Sequence, residues 1–208
     1  MIKSLLSIVI WPIALICFGG GAFIYTIALL FFKPNKLHRL AKIISRTIML
    51  ASGQCFKVKG QPPKEKNGPY LYLINHSSLF DAFMIIGGVS HYCTGVGAKF
   101  QFSYPIWGYL AKRYGVIPIE RGKIKAAIGS LSKLELAIHN GISAMIAPEG
   151  TRTLDGELGK FKKGAFHVAK NTGVTIIPVG LVGAYNAKNV GDWKISPGSI
   201  ITVFGDPI

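Results

Sequence analysis

YLYLINHSSLFD, residues 70–81, holds a change of secondary structure and a chemical pair within one short stretch. Its first part, Tyr70–Ile74, alternates aromatic and aliphatic residues after a Pro/Lys/Gly loop, which predicts a short buried strand. Ser77 or Ser78 then has the character of a helix N-cap ahead of the apolar Leu79-Phe80 and Phe83-Met84. His76 is therefore expected at the exit of a strand and Asp81 in the first turn of the next helix. A histidine in the turn before a helix can be reached by a carboxylate five residues on. Such a carboxylate fixes the imidazole tautomer and makes the other ring nitrogen a better proton acceptor. No Gly-x-Ser-x-Gly elbow accompanies the pair, so the base is matched to a substrate hydroxyl or to water. Ser78-x-x-Asp81 also has capping-box spacing, in which Asp81 serves backbone amides instead.

Downstream the pattern keeps alternating. Strands are expected at Cys93–Ala98, Val116–Ile119, Ile142–Ala147, Val174–Val179 and Ile200–Phe204, with helices at Ser103–Tyr114, Lys123–Asn140 and Lys162–Asn171. This alternation predicts an α/β domain whose mostly parallel central sheet is covered by helices on both faces. Polar and cationic groups recur where strands end: Glu120-Arg121-Gly122 after one, Pro148-Glu149-Gly150-Thr151-Arg152 after another, and Lys160-Phe161-Lys162-Lys163-Gly164 at a helix start. In an open α/β sheet these ends converge with His76 outside the carboxyl edge. Arg121, Arg152, Lys162 and Lys163 would there make an anion cradle of phosphate size, guanidinium groups offering two-pronged contacts. A solvated surface role for each cation, and an internal Glu149–Arg152 ion pair, are the plainer alternatives. Gly95-x-Gly97 lacks the third glycine and acidic partner of a dinucleotide fingerprint.

Upstream, Ser4 to Phe32 contains no charged residue. As one helix it would run about 43 Å against a hydrocarbon core of about 30 Å. A tilted span, a hairpin hinged at Gly19-Gly20-Gly21 and a signal peptide are the three readings. The signal peptide fits least, because Lys33, Lys36, Arg39, Lys42 and Arg46 follow the run and place the next domain on the cytoplasmic side. Residues 36–50 read as an amphipathic helix, Leu37, Leu40, Ile44 and Ile48 opposite the basic residues, suited to a headgroup layer or to packing on its own domain. The division expected is residues 1–52, membrane-associated, and residues 53–208, the α/β domain.

Composition agrees with a lipid surface. The chain of 208 residues carries a net charge of +15, and residues 1–64 hold nine of the basic residues and none of the acidic ones. With a mean hydropathy of +0.38, this is too apolar for a nucleic-acid binder and points to an anionic membrane. Cys17, Cys55 and Cys93 are scattered, with no Cys/His cluster for a metal, and are read as reduced thiols facing the cytosol.

Four of these stretches together resemble one family. Asn75-His76-x-x-x-x-Asp81 is similar to the N-H-x-x-x-x-D signature of the glycerolipid acyltransferases. GVIPIERG (115–122) resembles their second block, PEGTR (148–152) their third, and IIPVG (176–180) their fourth, in the family's order; FKKGAF (161–166) lies between. The nearest resemblance is to bacterial 1-acylglycerol-3-phosphate acyltransferases. It implies that His76 takes the proton of a lysophospholipid hydroxyl and that Asp81 orients it. Arg121 and Arg152 would hold the acceptor phosphate, with Glu149, Gly150 and Thr151 shaping that pocket beside Lys162 and Lys163. Ile177 and Pro178 would wall the acyl chain. The resemblance further implies no bound cofactor or metal, an acyl-CoA or acyl carrier protein as co-substrate, and a place on the inner (cytoplasmic) membrane with the catalytic domain in the cytosol. Thr153 departs from the usual serine, and the chain stops just after Gly205-Asp206-Pro207, where many members continue. A thioesterase using the same pair with water, and a non-catalytic lipid-binding protein, are the competing readings.

Overall fold

A computed structural model describes residues 2–208. Its centre is a seven-stranded sheet ordered β1-β7-β6-β2-β5-β3-β4. The strands are β1 (Gln54–Lys59), β2 (Tyr70–Ile74), β3 (Cys93–Ala98), β4 (Ile117–Ile119), β5 (Ser143–Ile146), β6 (Thr175–Val182) and β7 (Gly198–Phe204). Every neighbouring pair is parallel except β6 with β7. The mostly parallel sheet is as expected. β2 and β3 have the expected bounds, the other expected elements differ from the observed ones by at most three residues at an end, and β1 is an additional strand. It pairs with β7 from Gln54↔Gly198 to Lys59↔Val203, and its half-buried Phe56 and Val58 alternate with the exposed Cys55, Lys57 and Lys59.

The helices are α1 (Ile2–Phe31), α2 (His38–Ala51), α3 (Asp81–Gly88), α4 (Pro105–Tyr114), α5 (Ile124–His139), α6 (Gly164–Thr172) and the short α7 (Ala184–Ala187). Two-residue periodicity splits β2 between two cores. Tyr70, Tyr72 and Ile74 face a core shared with Met49 of α2, Met84 and Ile85 of α3, and Ile177 and Phe204 of the sheet. Leu71 and Leu73 face the opposite core, with Leu134 and Ile138 of α5 and Ala165 and Val168 of α6.

Helix α1 is continuous through Gly19-Gly20-Gly21, so the hairpin reading does not hold. Gly21 has a packing role instead: a Cβ there would lie 2.6 Å from Ile44 Cγ2 of α2, and its absence lets the two helices approach. One stripe of α1 (Ser7, Ile10, Ala14, Gly21, Ala22, Tyr25, Leu29) is buried against the domain, while the opposite face exposes Ile8, Val9, Ile16, Phe23, Ile24 and Phe31.

Helix α2 uses part of its basic face inside the protein. Lys42 Nζ donates to Val89 O at 2.8 Å and Arg46 Nε donates to Gly87 O at 2.9 Å, both at the carboxyl end of α3. Cations there satisfy the orphan carbonyls and oppose the helix dipole. Packing on its own domain, the plainer of the two sequence readings, thus accounts for these two residues. Lys36 and Arg39 remain exposed.

Candidate active site

Strand β2 delivers Asn75 and His76 to the carboxyl edge of the sheet. Asn75 continues the ladder with its side chain, Oδ1 accepting the Leu181 N–H at 2.6 Å. Helix α3 begins at Asp81, later than a cap at Ser77 or Ser78 implies. Ser78 Oγ accepts the Phe80 N–H at 3.1 Å in the turn before it. The chain folds back between them, and His76 Nδ1 lies 2.7 Å from Asp81 Oδ2. That same oxygen accepts the N–H groups of Ser77 and Ser78 at 2.7 and 2.9 Å. The two sequence readings of Asp81 are therefore both realised: it serves backbone amides and it holds the imidazole. Asp81 is buried, and the ring of His76 is 24% exposed. With Nδ1–H given to the carboxylate, Nε2 carries a lone pair.

The third block encloses the peptide of His76. Its N–H donates to Glu149 Oε1 at 2.7 Å, and its carbonyl accepts the Thr153 N–H at 2.9 Å. Glu149 Oε2 accepts the Gly159 N–H at 2.8 Å. Buried Glu149 therefore spends both oxygens on backbone amides, a brace for the histidine where sequence reading placed part of a phosphate pocket or an ion pair with Arg152. The amide dipoles on both oxygens partly offset the negative charge that Glu149 would otherwise present to a phosphate. Gly150 makes this turn with φ +71°, and a Cβ there would come within 2.8 Å of Lys162 Nζ. Position 153 is used through its backbone N–H and through its hydroxyl, which donates to Asp155 Oδ1 at 2.6 Å and accepts the Gly156 N–H at 3.1 Å; serine carries the same groups, so threonine serves as well.

Beyond the brace lies a cationic group. Arg121 follows β4, and its Nη1 reaches Thr151 Oγ1 at 3.5 Å. Partial burial and the neighbouring Arg152 guanidinium both lower the pKa of Arg121 from its ordinary value. Lys188, after α7, is lowered in the same way by burial and then by Arg152, against the opposing pull of Asp192. Arg152 thus stands close to two other cations, and among the described residues no carboxylate forms a salt bridge with any of the three. Glu120, the nearest acid in sequence, is bound at 2.6 Å by Lys123 and at 2.9 Å by Lys99, whose hydrogen bonds hold its pKa at about 2. Clustered cations with no carboxylate in salt-bridge contact make a site that gains from a dianionic ligand. Lys188 was absent from the sequence reading; its only signal was a basic residue beyond the fourth block.

A cleft of about 700 Å³ opens beside His76, with Arg121, Lys123, Gly150, Lys162 and Lys163 at its rim. Its walls are apolar, from Val96, Ile119, Ile146, Ala127 and Leu131 among others, so they come from the sheet and from α5. Ile177 and Pro178 do not line it. Ile177 is buried in the core on the opposite face of the sheet, beside Tyr72, because β6 presents it on the side where α3 packs.

A protein-family model described as Acyltransferase matches residues 55–182. A 1-acyl-sn-glycerol-3-phosphate acyltransferase of Haemophilus influenzae is 30% identical, over 93% of this chain and 79% of its own. The chloroplastic 1-acyl-sn-glycerol-3-phosphate acyltransferase LPAT1 of Arabidopsis thaliana is 33% identical over 67% of this chain. This chain spans only 39% of that protein's length. The crystal structure of the 1-acyl-sn-glycerophosphate acyltransferase PlsC of Thermotoga maritima superposes with a TM-score of 0.83, covering 99% of this chain and 85% of that one at 22% identity. At that identity the likeness speaks for the fold.

Proposed function

Since this chain belongs to the acyltransferase family, we propose that it moves a fatty acyl group from a thioester to the free hydroxyl of a lysophospholipid. The acceptor we assign is 1-acylglycerol-3-phosphate, giving phosphatidic acid. The observation that carries this reading is the pairing of His76, backed by Asp81 at 2.7 Å, with an unpaired cation group and an apolar cleft at one sheet edge. His76 Nε2 takes the hydroxyl proton, and the oxygen attacks the thioester carbonyl. The tetrahedral centre then collapses with cleavage of the C–S bond, and the thiolate leaves and takes up the proton. A thiolate needs no strong acid to depart, so one positioned base suffices, typically contributing about 10²–10⁴ in rate. Arg121, Arg152 and Lys188 hold the acceptor phosphate, with Lys162 and Lys163 at the cleft rim. The donor's acyl chain lies along the apolar cleft, which replaces Ile177 and Pro178 as its wall. The donor is acyl-CoA or acyl carrier protein, both anions suited to the basic rim.

The outer face of α1 seats the protein on the cytoplasmic membrane, with the sheet in the cytosol. Its row of large exposed apolar side chains supports this, since contiguous patches of that kind mark contact surfaces.

The test is product analysis by mass spectrometry with a panel of lysolipids and both donors. Wild type is expected to yield diacyl lipid, and His76→Ala to fall by at least about 10², the contribution of the base. Free fatty acid without diacyl lipid would assign the site to hydrolysis. Near-full transfer by His76→Ala would remove the base assignment.

A further inference from the structure

Between α7 and β7 the chain runs Lys188-Asn189-Val190-Gly191-Asp192-Trp193-Lys194-Ile195, outside the segment matched by the family model. It has no regular structure, yet it is fastened at both ends. Ser78 Oγ, in the catalytic turn, donates to Lys188 O at 2.7 Å. At the other end α1 takes hold. Ser7 Oγ accepts the Ile195 N–H at 3.0 Å, and Trp11 Nε1 donates to Trp193 O at 2.8 Å. Within the loop Lys188 Nζ donates to the carbonyls of Asn189 and Asp192, and Asn189 Oδ1 accepts the Asp192 N–H. This one segment therefore joins the apolar helix to the turn that carries His76.

A backbone so tied could have turned its apolar side chains inward, as it does with Ile195, which is 1% exposed. Trp193 and Val190 instead stand 51% and 41% exposed, and Leu79, on the catalytic turn itself, 42%. Apolar side chains held outward by a braced loop, which Trp11 ties to the apolar helix α1, call for an apolar cover. An indole beside Lys194 suits the boundary between headgroups and acyl chains, where amphipathic rings and long cations both settle.

We propose that residues 188–195 form a lipid-contacting lip. Val190, Trp193 and Leu79 rest in the leaflet that α1 lies on, and the acceptor lipid passes over them to Lys188, Arg152 and His76 without leaving the bilayer surface. What the lip feeds rests on the function proposed above; the contact itself does not.

Full-length protein is mixed with phosphatidylcholine/phosphatidylglycerol vesicles whose acyl chains are brominated near the headgroup, with no acyl donor present. The emission component lost in Trp193→Phe should be quenched by these vesicles and not by unbrominated ones. In a Val190→Ser/Trp193→Ser variant, the ratio of turnover on vesicle-borne lysolipid to turnover on a short-chain monomeric one should fall about tenfold, the scale of losing an apolar contact. An unquenched Trp193 component overturns the proposal, whatever the double variant does. So does a concentration-dependent dimer that dissociates in Trp193→Ser, which would make a second copy the cover. Quenching by a wild type that transfers no acyl group would leave the lip standing and sink the assigned reaction.

Discussion

His76 has its Nδ1, its N–H and its carbonyl each engaged, by Asp81, Glu149 and Thr153, which leaves Nε2 as the one polar atom of the residue free for a ligand. The division of labour around it can be read in kinetics. Glu149→Gln keeps the size of the brace but offers an amide N–H to one of the two backbone N–H groups, so His76 or the Gly159 loop loses its acceptor. The expected result is a kcat lowered at least tenfold with an acceptor KM little changed, the mark of a positioning residue. Arg152→Ala removes a charge-assisted contact, worth about 1.5–3 kcal/mol, so its KM for the lysolipid should rise about ten- to a hundredfold. Steady-state kinetics at fixed donor separates the two, and the reverse pattern would exchange their roles. Much of the candidate site's layout was legible: the pairing of His76 with Asp81 from their spacing across a strand–helix turn, and the placement of the arginines from their positions after strands. The brace was not, because a Glu-Gly turn reads the same whether its carboxylate points at ligand or at backbone. The place of Lys188 and the walls of the cleft depend on which strand neighbours which, and no local pattern carries that.

At the scale of elements, α3 is the piece on which the turn carrying His76 depends, and α2 grips its far end. Val89 O receives Lys42 and also lies 3.3 Å from His38 Nε2, while His38 Nδ1 is buried without a partner. Burial pushes the His38 pKa down from 6.5 to about 4, with Lys42 and His91 adding to the depression and the Val89 carbonyl and Glu65 opposing it. Because the folded value is the lower one, the unfolded chain takes up the proton first as pH falls. Stability is therefore full above about pH 6.5 and declines toward pH 4, by on the order of 3 kcal/mol for this group. His91 is shifted in the same direction by burial and adds to the decline. Denaturant midpoints measured from pH 7 to 4.5 should fall for wild type and fall less for His38→Gln; parallel curves would clear His38 of the acid limb. The helix itself was visible as a period of apolar residues, but its basic face was ambiguous, since a lysine bound to a carbonyl and a lysine in a headgroup layer carry the same sequence signal. Strand β1 left the alternation of Phe56 and Val58 with polar neighbours as its trace, too short beside the apolar runs of the buried strands to stand out.

For the whole molecule, the question is how an apolar helix of 30 residues would meet a bilayer while staying packed on the α/β domain. Length alone allows a span, since about 45 Å exceeds a hydrocarbon core of about 30 Å. Contacts argue otherwise, because they run along the helix from end to end: Ser7 with Ile195, Trp11 with Trp193, Phe18 against Trp107, Tyr25 against Tyr114. Crossing would peel them away and take Ile10, Tyr25 and Leu29 out of the cores, at about 1.5–3 kcal/mol for each buried side chain. Lying flat keeps every contact and covers only the face that is already apolar. Two single-cysteine proteins, Lys3→Cys and Lys33→Cys, decide it in a background with Cys17, Cys55 and Cys93 replaced by alanine. Bound to preformed vesicles, both should react with a membrane-impermeant maleimide added outside, because both ends of α1 stay on the side from which the protein arrived. Protection at position 3 with labelling at position 33 would mean that α1 crosses, and that the contacts of Ser7 and Trp11 are given up on the membrane.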